Sequence, residues 1–308
     1  MALPLDRMLV DDAQAARRLR IIAISLMFGA VGTFSILDTT AKYLSSYESP
    51  LQVAWLRYVF HVVFISILLN PWSSPGIWRT KKPGMQFLRS VLLAGTTVFN
   101  FSALQTLQLD QAITVSFTTP LLVAIFAGPI LGEWIGLKRM AAIGVGFLGV
   151  LVVTRPGVGT FEMAYLLAFS NAICGAFYNI ATRFVSAYDS AKTSIAITGL
   201  FGALALAPIM PFVWHWPESG WIWGLHIATG AMGAFGHYLL ILAHGRAPAP
   251  ILAPFVYCEL VFMTITGWLV FSDVPDVWTL AGAAVVIGAG LYLLLKERTP
   301  KTQTDIVD

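Results

Sequence analysis

Glu259 is a carboxylate in the middle of a long apolar stretch, within Tyr257-Cys-Glu-Leu-Val. If that stretch crosses a lipid bilayer, the charge costs on the order of 3 kcal/mol on insertion scales, so it must face other helices or water. Such a group could bind the ammonium group of a substrate or carry a proton. A structural carboxyl that accepts hydrogen bonds from neighbouring helices is the alternative, and the central position slightly favours the functional role.

Asp38 and Arg57 lie at similar depths, toward the same end of the first two apolar stretches. A buried ion pair would satisfy both charges. Lys42, four residues after Asp38, is a competing partner on the same helix. We therefore expect a structural ion pair or, less strongly, a gate at that end. Arg89 lies near the opposite end of the third stretch and is expected to extend to the membrane surface.

Polar and aromatic side chains recur at mid-stretch depth. Because amides and hydroxyls in lipid need partners, they should point toward neighbouring helices, where they could line a cavity for a small amphipathic solute. Any single one of them could instead make only a helix-to-helix hydrogen bond. The candidate substrate-binding residues are Asn100, Tyr178, His237, Tyr257 and Glu259.

The residues that commonly bind metals do not converge in the sequence. His226, His237 and His244 share one stripe of a helix, but that stripe is about 27 Å long at 1.5 Å per residue. Cys174 and Cys258 supply too few ligands for a zinc site. The phosphate-binding loop of ATPases and the usual hydrolase motifs are missing. We predict no metal and no cofactor, and an intramembrane enzyme remains only an alternative.

The elements that position these residues are membrane-spanning helices. Hydrophobic residues make up 57% of the chain and charged residues 11%, whereas a soluble domain has roughly 25% charged residues. The apolar stretches are about the 20 residues that a helical span needs, and they lack the alternation of barrel strands. The predicted spans are 21–44, 51–69, 85–104, 112–131, 138–154, 161–182, 193–213, 221–243, 250–271 and 276–295.

The sequence contains an internal repeat with an odd number of spans in each copy. Residues 103–151 align with residues 243–291 at a constant offset of 140. With five spans per copy, the second copy enters the bilayer from the opposite side, as in alternating-access transporters with a binding site at the repeat interface. We predict an all-α polytopic membrane protein in which ten transmembrane helices form two inverted five-helix repeats around a central cavity. A passive channel could share this fold.

Basic residues define the predicted topology. Those in the predicted loops concentrate on the side of the N-terminus, and only Lys42 and Arg155 fall on the other side. This bias places both termini in the cytoplasm. It explains the basic clusters without a nucleic-acid partner. The predicted divisions are a cytoplasmic tail at 1–20, repeats at 21–157 and 158–295, and a second cytoplasmic tail at 296–308.

Prolines interrupt several predicted spans, and two of them are candidate hinges. Pro120 lies inside the fourth span and Pro254 inside the ninth. Proline removes an intrahelical hydrogen bond and kinks a helix, so both are candidate hinges, although static kinks are about equally expected.

Small residues at helical spacing recur in the fifth and tenth spans, at Ala142 and Gly146 and at Ala284 and Gly288. Such pairs allow helices to approach closely. Because both copies carry the pattern, we favour packing within the fold, and expect a monomer or a weak homodimer.

Four short motifs lie in or beside the predicted spans: Trp55-Leu-Arg-Tyr-Val, Ala103-Leu-Gln, Thr118-Thr-Pro-Leu and Leu131-Gly-Glu. Together with the ten spans in two copies, they resemble the drug/metabolite transporter superfamily, specifically its EamA-domain branch, over residues 21–295. In that family each copy tends to carry a Glu-Pro pair in its fourth span. Glu259 matches the glutamate, with Leu260 in place of the proline; in the first copy Pro120 matches the proline and Thr119 replaces the glutamate.

Within that branch the chain is most similar to bacterial exporters of amino acids, including aromatic ones. The resemblance implies a secondary transporter, not an enzyme, that exports amino acids or similar small metabolites across the bacterial inner membrane. Its expected partners are that small-molecule substrate and the membrane lipid.

Overall fold

The computed structural model describes residues 5–70, 76–132, 136–155, 163–247, 252 and 255–297, without the side chains of residues 5–16, 131, 139 and 294–297. Within these ranges the regular structure is helical and contains no strand. A 3₁₀ turn at Ala207–Ile209 joins α8 to α9. The helices are α1 (Leu5–Leu44), α2 (Pro50–Leu69), α3 (Pro83–Leu104), α4 (Leu109–Ser116), α5 (Thr119–Leu131), α6 (Leu137–Thr154), α7 (Met163–Val185), α8 (Ala191–Leu206), α9 (Met210–Val213), α10 (Gly220–His244), α11 (Cys258–Phe271) and α12 (Val277–Glu297).

Seven helical segments of the described chain are long and apolar enough to cross a membrane, with α4–α5 and α8–α9 each counted as one segment. This composition indicates a multi-pass membrane protein. Three shorter apolar helices, Met140–Thr154, Cys258–Phe271 and Val277–Leu293, coincide with the fifth, ninth and tenth predicted spans. The count of ten spans therefore stays a prediction. α1 also begins at Leu5, before the start of the first predicted span.

The loops before α2 and α8 have the same local structure. Each contains a three-residue turn, an acidic residue and a serine that caps the next helix. The Ser49 side chain accepts a hydrogen bond from Leu51 N, and the Ser190 side chain accepts one from Thr193 N. Serine is a favoured cap because its oxygen satisfies an unpaired amide of the first turn. Glu48 and Asp189 are thus equivalent positions in the two copies.

Glu48 and Asp189 lie at opposite ends of the helix bundle. Gln86, in the first turn of α3, donates to Asp189 Oδ2 at 2.9 Å, whereas Gln105, just after α3, donates to Ser45 O beside Glu48. A helix of 22 residues is about 33 Å long at 1.5 Å per residue. We refer to the Glu48 end and the Asp189 end. α1 ends at the Glu48 end and its counterpart α7 ends at the Asp189 end.

Helices of one copy pack mainly on helices of the other copy. α1 packs on α10, and α7 packs on α3, so the first helix of each copy contacts the third helix of the other. α6 packs on its own counterpart, α12. There, a Cβ at Gly149 would lie 2.9 Å from Gly282 O and a Cβ at Gly282 would lie 2.6 Å from Gly149 O. Packing between the copies therefore uses small residues of both spans.

The fourth span of the first copy is broken at its middle. α4 ends at Ser116, α5 begins at Thr119, and Pro120 lies in the first turn of α5, where its missing N–H has no helical partner to lose. In the second copy, Tyr257 lies in a turn immediately before α11. Phe117 and Tyr257 are 140 residues apart, and their rings meet edge to face at 4.9 Å. Pro254, the other predicted hinge, lies outside the described residues.

Candidate functional site

A cavity of about 210 Å³ lies between the two copies, and we call it the central cavity. Helices from both copies form its wall: α1, α2, α3 and α4 from the first and α7, α10 and α11 from the second. The lining residues are Phe34, Leu37, Asp38, Arg57, Leu93, Thr96, Thr97, Asn100, Phe101, Ile113, Ser116, Asn171, His237 and Glu259.

Two carboxylates face the central cavity. Asp38 Oδ2 accepts a hydrogen bond of 2.9 Å from Asn100 Nδ2. Glu259 is in the first turn of α11, directly after the break at Tyr257, and it is half-buried. Within the described part of the chain Glu259 has no hydrogen-bond partner, so its carboxylate is available to a solute in the cavity.

Arg57 carries the opposing charge and is only 6% exposed. Its Nη1 donates to Thr97 Oγ1 at 3.2 Å, while its guanidinium lies 4.9 Å from the Tyr58 ring centre. Asp38 and Arg57 therefore line one cavity but bind different partners, and the direct ion pair between them is not formed. A buried guanidinium retains several free N–H donors in this arrangement, because it has five in total.

A second, larger cavity of about 720 Å³ extends from Arg57 and His237 to the Asp189 end, and we call it the vestibule. Arg57, Leu93 and His237 line both cavities and thus form the wall between them. The vestibule also contains residues of the loop after α7 and of the end of α10. Its lining residues are Arg57, Tyr58, His61, Arg89, Leu93, Tyr178, Asn179, Thr182, Ser186, Asp189, Ser190, Ala191, Ser194, Ile195, Thr198, His237, Leu240, Ile241, His244 and Gly245.

Arg89 is part of the vestibule wall, and the prediction that it extends to the membrane surface is wrong. It is 6% exposed, and its guanidinium lies 4.7 Å from the Tyr178 ring centre. Nε donates to Thr182 Oγ1 at 2.7 Å and Nη2 donates to Tyr178 OH at 2.7 Å. Further donation from Nη1 to Thr198 joins α3 to α8. Hydroxyls from α7 and α8 therefore replace water around this charge.

Polar contacts between the copies close the Glu48 end. Lys42, which the sequence suggested as a partner of Asp38, lies 3.5 Å from Asp273 and donates to Leu107 O at 2.6 Å. His226 Nε2 lies 2.9 Å from Glu48 Oε2, with both side chains almost completely buried. These contacts connect the ends of α1, α10 and α11 above the central cavity.

The structure brings together most of the predicted site residues. Asp38, Arg57, Asn100, His237 and Glu259 all line the central cavity. His61, Thr96, Thr97, Ser116 and Asn171 were not among the predicted site residues and line one or other cavity. Their signal in the sequence was polarity at mid-span depth, which they share with many structural residues.

Two predicted residues lie elsewhere. Tyr178 lines only the vestibule, on the other side of the wall between the cavities. Tyr257 lines neither cavity. It packs against Phe117, and a Cβ at Gly290 would lie 1.8 Å from its hydroxyl, so its ring fills the space beside that glycine.

The described residues contain no group of three or more His, Cys, Asp or Glu side chains placed to hold a metal ion. The cavities instead combine a few charged groups, amides and hydroxyls with apolar and aromatic walls. That is the composition of a binding site for a small organic solute. In transporters built from inverted repeats, the substrate site lies at the interface between the copies, where this cavity is found.

The comparisons with known proteins agree with this class. Residues 21–155 and 162–296 each match the EamA-like transporter family. The chain therefore belongs to that family, as the sequence motifs suggested, and it is a membrane transporter and not an enzyme.

Similar proteins carry different solutes. The chain is 29% identical to the S-adenosylmethionine uptake transporter of Rickettsia prowazekii (strain Madrid E), covering 86% of this chain and 90% of that one. It is 28% identical to the riboflavin transporter of Vibrio cholerae, over 82% and 86% of the two chains. It is 26% identical to the pseudopaline exporter CntI of Pseudomonas aeruginosa, over 85% and 92%.

A solved crystal structure has the same fold, with a TM-score of 0.61 over 93% of this chain and 99% of the other, at 18% identity.

Proposed function

We propose that the chain forms ten spans in two inverted five-helix repeats, 21–157 and 158–295, that alternate between two open states. The opposite directions of α1 and α7 and the exchanged packing of α1 on α10 and α7 on α3 support this arrangement. The positive-inside bias supports a cytoplasmic position for the Asp189 end and for both termini. In a bacterial inner membrane, the vestibule then opens to the cytoplasm while the Glu48 end is closed.

We infer that the substrate is a small metabolite with an amino-acid head group. The observation that carries this inference is that one cavity presents two carboxylates, Asp38 and Glu259, and one guanidinium, Arg57. An α-ammonium group would lie at Glu259 and an α-carboxylate at Arg57, where hydrogen bonds to charged groups are the strong ones. The edge-to-face pair of Phe34 and His237, 5.0 Å apart, would contact the apolar part of the solute.

Among the solutes of the related transporters, some fit this class of substrate and others do not. S-adenosylmethionine carries an amino-acid head group, whereas riboflavin does not. Their names also include both uptake and export, so the direction is specific to each protein. We propose export for this chain, because a vestibule that opens to the cytoplasm would admit solute from inside the cell.

Transport into proteoliposomes tests the proposal with labelled amino acids, S-adenosylmethionine and riboflavin. We expect saturable counterflow of at least one solute with an amino-acid head group, and saturation excludes a passive channel. Glu259→Gln should lower that rate because it removes the partner of the ammonium group. Glu218→Gln, the same change at an exposed loop position, is the matched control.

Two results would contradict the proposal. Riboflavin transport alone, with no uptake of any zwitterionic solute, would remove the amino-acid head group from the mechanism. Undiminished transport by Glu259→Gln would show that this carboxylate does not contact the substrate.

A further inference from the structure

We propose that the vestibule is itself a binding site for an organic anion, a carboxylate or phosphate attached to an apolar body. This site adjoins the central cavity and shares Arg57 with it, but its test does not depend on what the central cavity transports. Its volume of about 720 Å³ is in the range of about 300–1,000 Å³ that is typical of small-molecule sites.

The charge of the vestibule wall is positive and poorly compensated. Arg57 and Arg89 are both buried, and Arg89 donates to neutral hydroxyls and a backbone carbonyl. Among the lining residues the carboxylate is that of Asp189. It already accepts hydrogen bonds from Thr80 Oγ1, Lys81 N and Gln86 Nε2. A buried charge without a partner is costly, so an anion in the vestibule would be stabilised.

Three buried nitrogens beside the inner end of the vestibule have no hydrogen-bond partner within the described structure. They are Arg57 Nε and the two ring nitrogens of His61, a residue that is only 3% exposed. Leaving such a buried polar group unsatisfied costs about 1–3 kcal/mol. A carboxylate or phosphate accepts hydrogen bonds, so it could satisfy Arg57 Nε and the one ring nitrogen of His61 that carries a proton.

Arg57 and His61 are placed to act together. They are four residues apart on α2 and therefore lie on one face of that helix. A Cβ built on Gly233 of α10 would lie 3.5 Å from Arg57 Nε and 3.6 Å from His61 Nδ1. The two groups thus converge beside one point of α10, where the absence of a side chain leaves them room.

The remainder of the vestibule suits the apolar body of such an anion. Leu93, Ile195, Leu240 and Ile241 supply aliphatic wall, and the Tyr178 ring adds an aromatic surface. The central cavity differs because Asp38 and Glu259 would repel an anion that lacks an ammonium group. The two cavities, which meet at Arg57 and His237, are therefore expected to prefer solutes of opposite charge.

Equilibrium binding to the full chain in phosphatidylcholine nanodiscs tests the site by titration calorimetry. The probes are two matched pairs, indole-3-acetate with its uncharged amide, and adenosine 5′-monophosphate with adenosine. We expect at least one anion to bind and its neutral partner to bind at least roughly tenfold more weakly, as expected for loss of a charged hydrogen-bonded contact. Equal affinities within both pairs would overturn the proposal.

Substitutions of vestibule residues test whether the anion binds in the vestibule. Arg89→Gln should weaken binding of the anion by roughly tenfold. Because Arg89 connects three helices, Asn179→Asp provides a second variant, which adds a negative charge at an exposed lining position with little change of shape. Arg246→Gln is the control, since Arg246 is exposed and does not line the vestibule. Unchanged binding in Asn179→Asp would contradict the assignment.

An anionic lipid headgroup is the competing occupant. If nanodiscs that contain phosphatidylglycerol lose binding of the soluble anions, with recovery as the probe concentration rises, the headgroup occupies the vestibule and the proposal of a soluble ligand is wrong. Retained affinity in both lipid compositions supports the soluble anion. Neither outcome depends on the transport assay.

Discussion

The Glu48 end and the Asp189 end have the same loop structure but different polar contacts. At the Glu48 end, Glu48, Gln52, His215 and His226 form the Glu48 cluster, in which Gln52 Nε2 donates to both Glu48 and His215 O. At the Asp189 end, Asp189, Thr80, Lys81, Gln86 and Ser194 form the Asp189 cluster. Glu48, Gln52 and His226 are almost fully buried, whereas Asp189 and Ser194 line the vestibule.

The difference shows that two loops with the same backbone structure can differ in their access to water because their side chains differ. His226 and Gln86 occupy equivalent positions, 140 residues apart, and each contacts the acidic residue of the neighbouring loop. An imidazole and a buried carboxylate form a contact that excludes water. An amide bound to a half-exposed aspartate tolerates water and leaves an opening beside it.

Thiol labelling tests whether the Asp189 end is open and the Glu48 end is closed. Of the four predictions it has the largest expected effect. In a variant without Cys174 and Cys258, Asn179→Cys in the vestibule should react with a membrane-impermeant reagent from the Asp189 side. Thr39→Cys, whose position is covered by Thr266 at the Glu48 end, should stay unlabelled. Labelling of both from opposite sides would show that both ends are open.

Removal of the cluster residues compares the two ends energetically. His226→Leu leaves the Glu48 carboxylate buried without its imidazole, so we expect a loss of about 3 kcal/mol in the free energy of unfolding. The equivalent change, Gln86→Leu, should cost about 1 kcal/mol because Asp189 keeps Thr80, Lys81 N and water. Unfolding in mixed micelles measures both, and equal losses would contradict the proposed inequality.

The contact between the equivalent helices α2 and α8 is also asymmetric, because large side chains of α2 pack on glycines of α8. Tyr58 and His61 pack on Gly202 and Gly199, where added Cβ atoms would lie 2.7 Å from Tyr58 Cδ1 and 2.6 Å from His61 Cδ2. Gly202→Ala should therefore destabilise the fold by about 1–3 kcal/mol through overpacking. Gly288→Ala, which meets nothing within 4 Å, is the control. Similar melting temperatures for both variants would show that this contact can relax.

The pH dependence of the Asp189 cluster has the smallest expected effect. Partial burial acts to raise the pKa of Asp189, but hydrogen bonds from Lys81 N, Thr80 and Gln86 outweigh it and hold that pKa below its ordinary value of 3.8. The stability contributed by Asp189 is thus present above pH 3.8 and is lost as the pH falls through the lowered pKa. The melting temperature of Asp189→Asn should converge with that of the parent there, and a constant difference would disagree with this assignment.

The sequence could predict which groups must avoid lipid, and so which side chains would share the interior. Asp38, Asn100, His237 and Glu259 were identified by depth alone, because the cost of a polar group in hydrocarbon leaves few other positions. The direction of a side chain next to a helix break was not predictable in the same way. Tyr257 therefore lies at the contact between the copies and not in a cavity.

Arg89 shows the other limit of prediction. Its position near a helix end fits both extension to the membrane surface and burial, and the sequence around it is the same in either case. The choice depends on hydroxyls from α7 and α8, which are separated from it by about ninety residues or more. The repeat itself was visible as a constant offset, whereas the division of the fourth span into α4 and α5 required the structure.

The edge-to-face contact of Phe117 with Tyr257 joins two equivalent positions of a duplicated chain. Before duplication and fusion, a single ancestral residue at such a place would have met itself across the axis of a symmetric pair of subunits. Fusion allowed the two descendants to diverge, and one gained a hydroxyl that the other lacks. Any later change in the bulk of either ring must be matched by its counterpart, so these two positions should vary together among descendants of the fused gene.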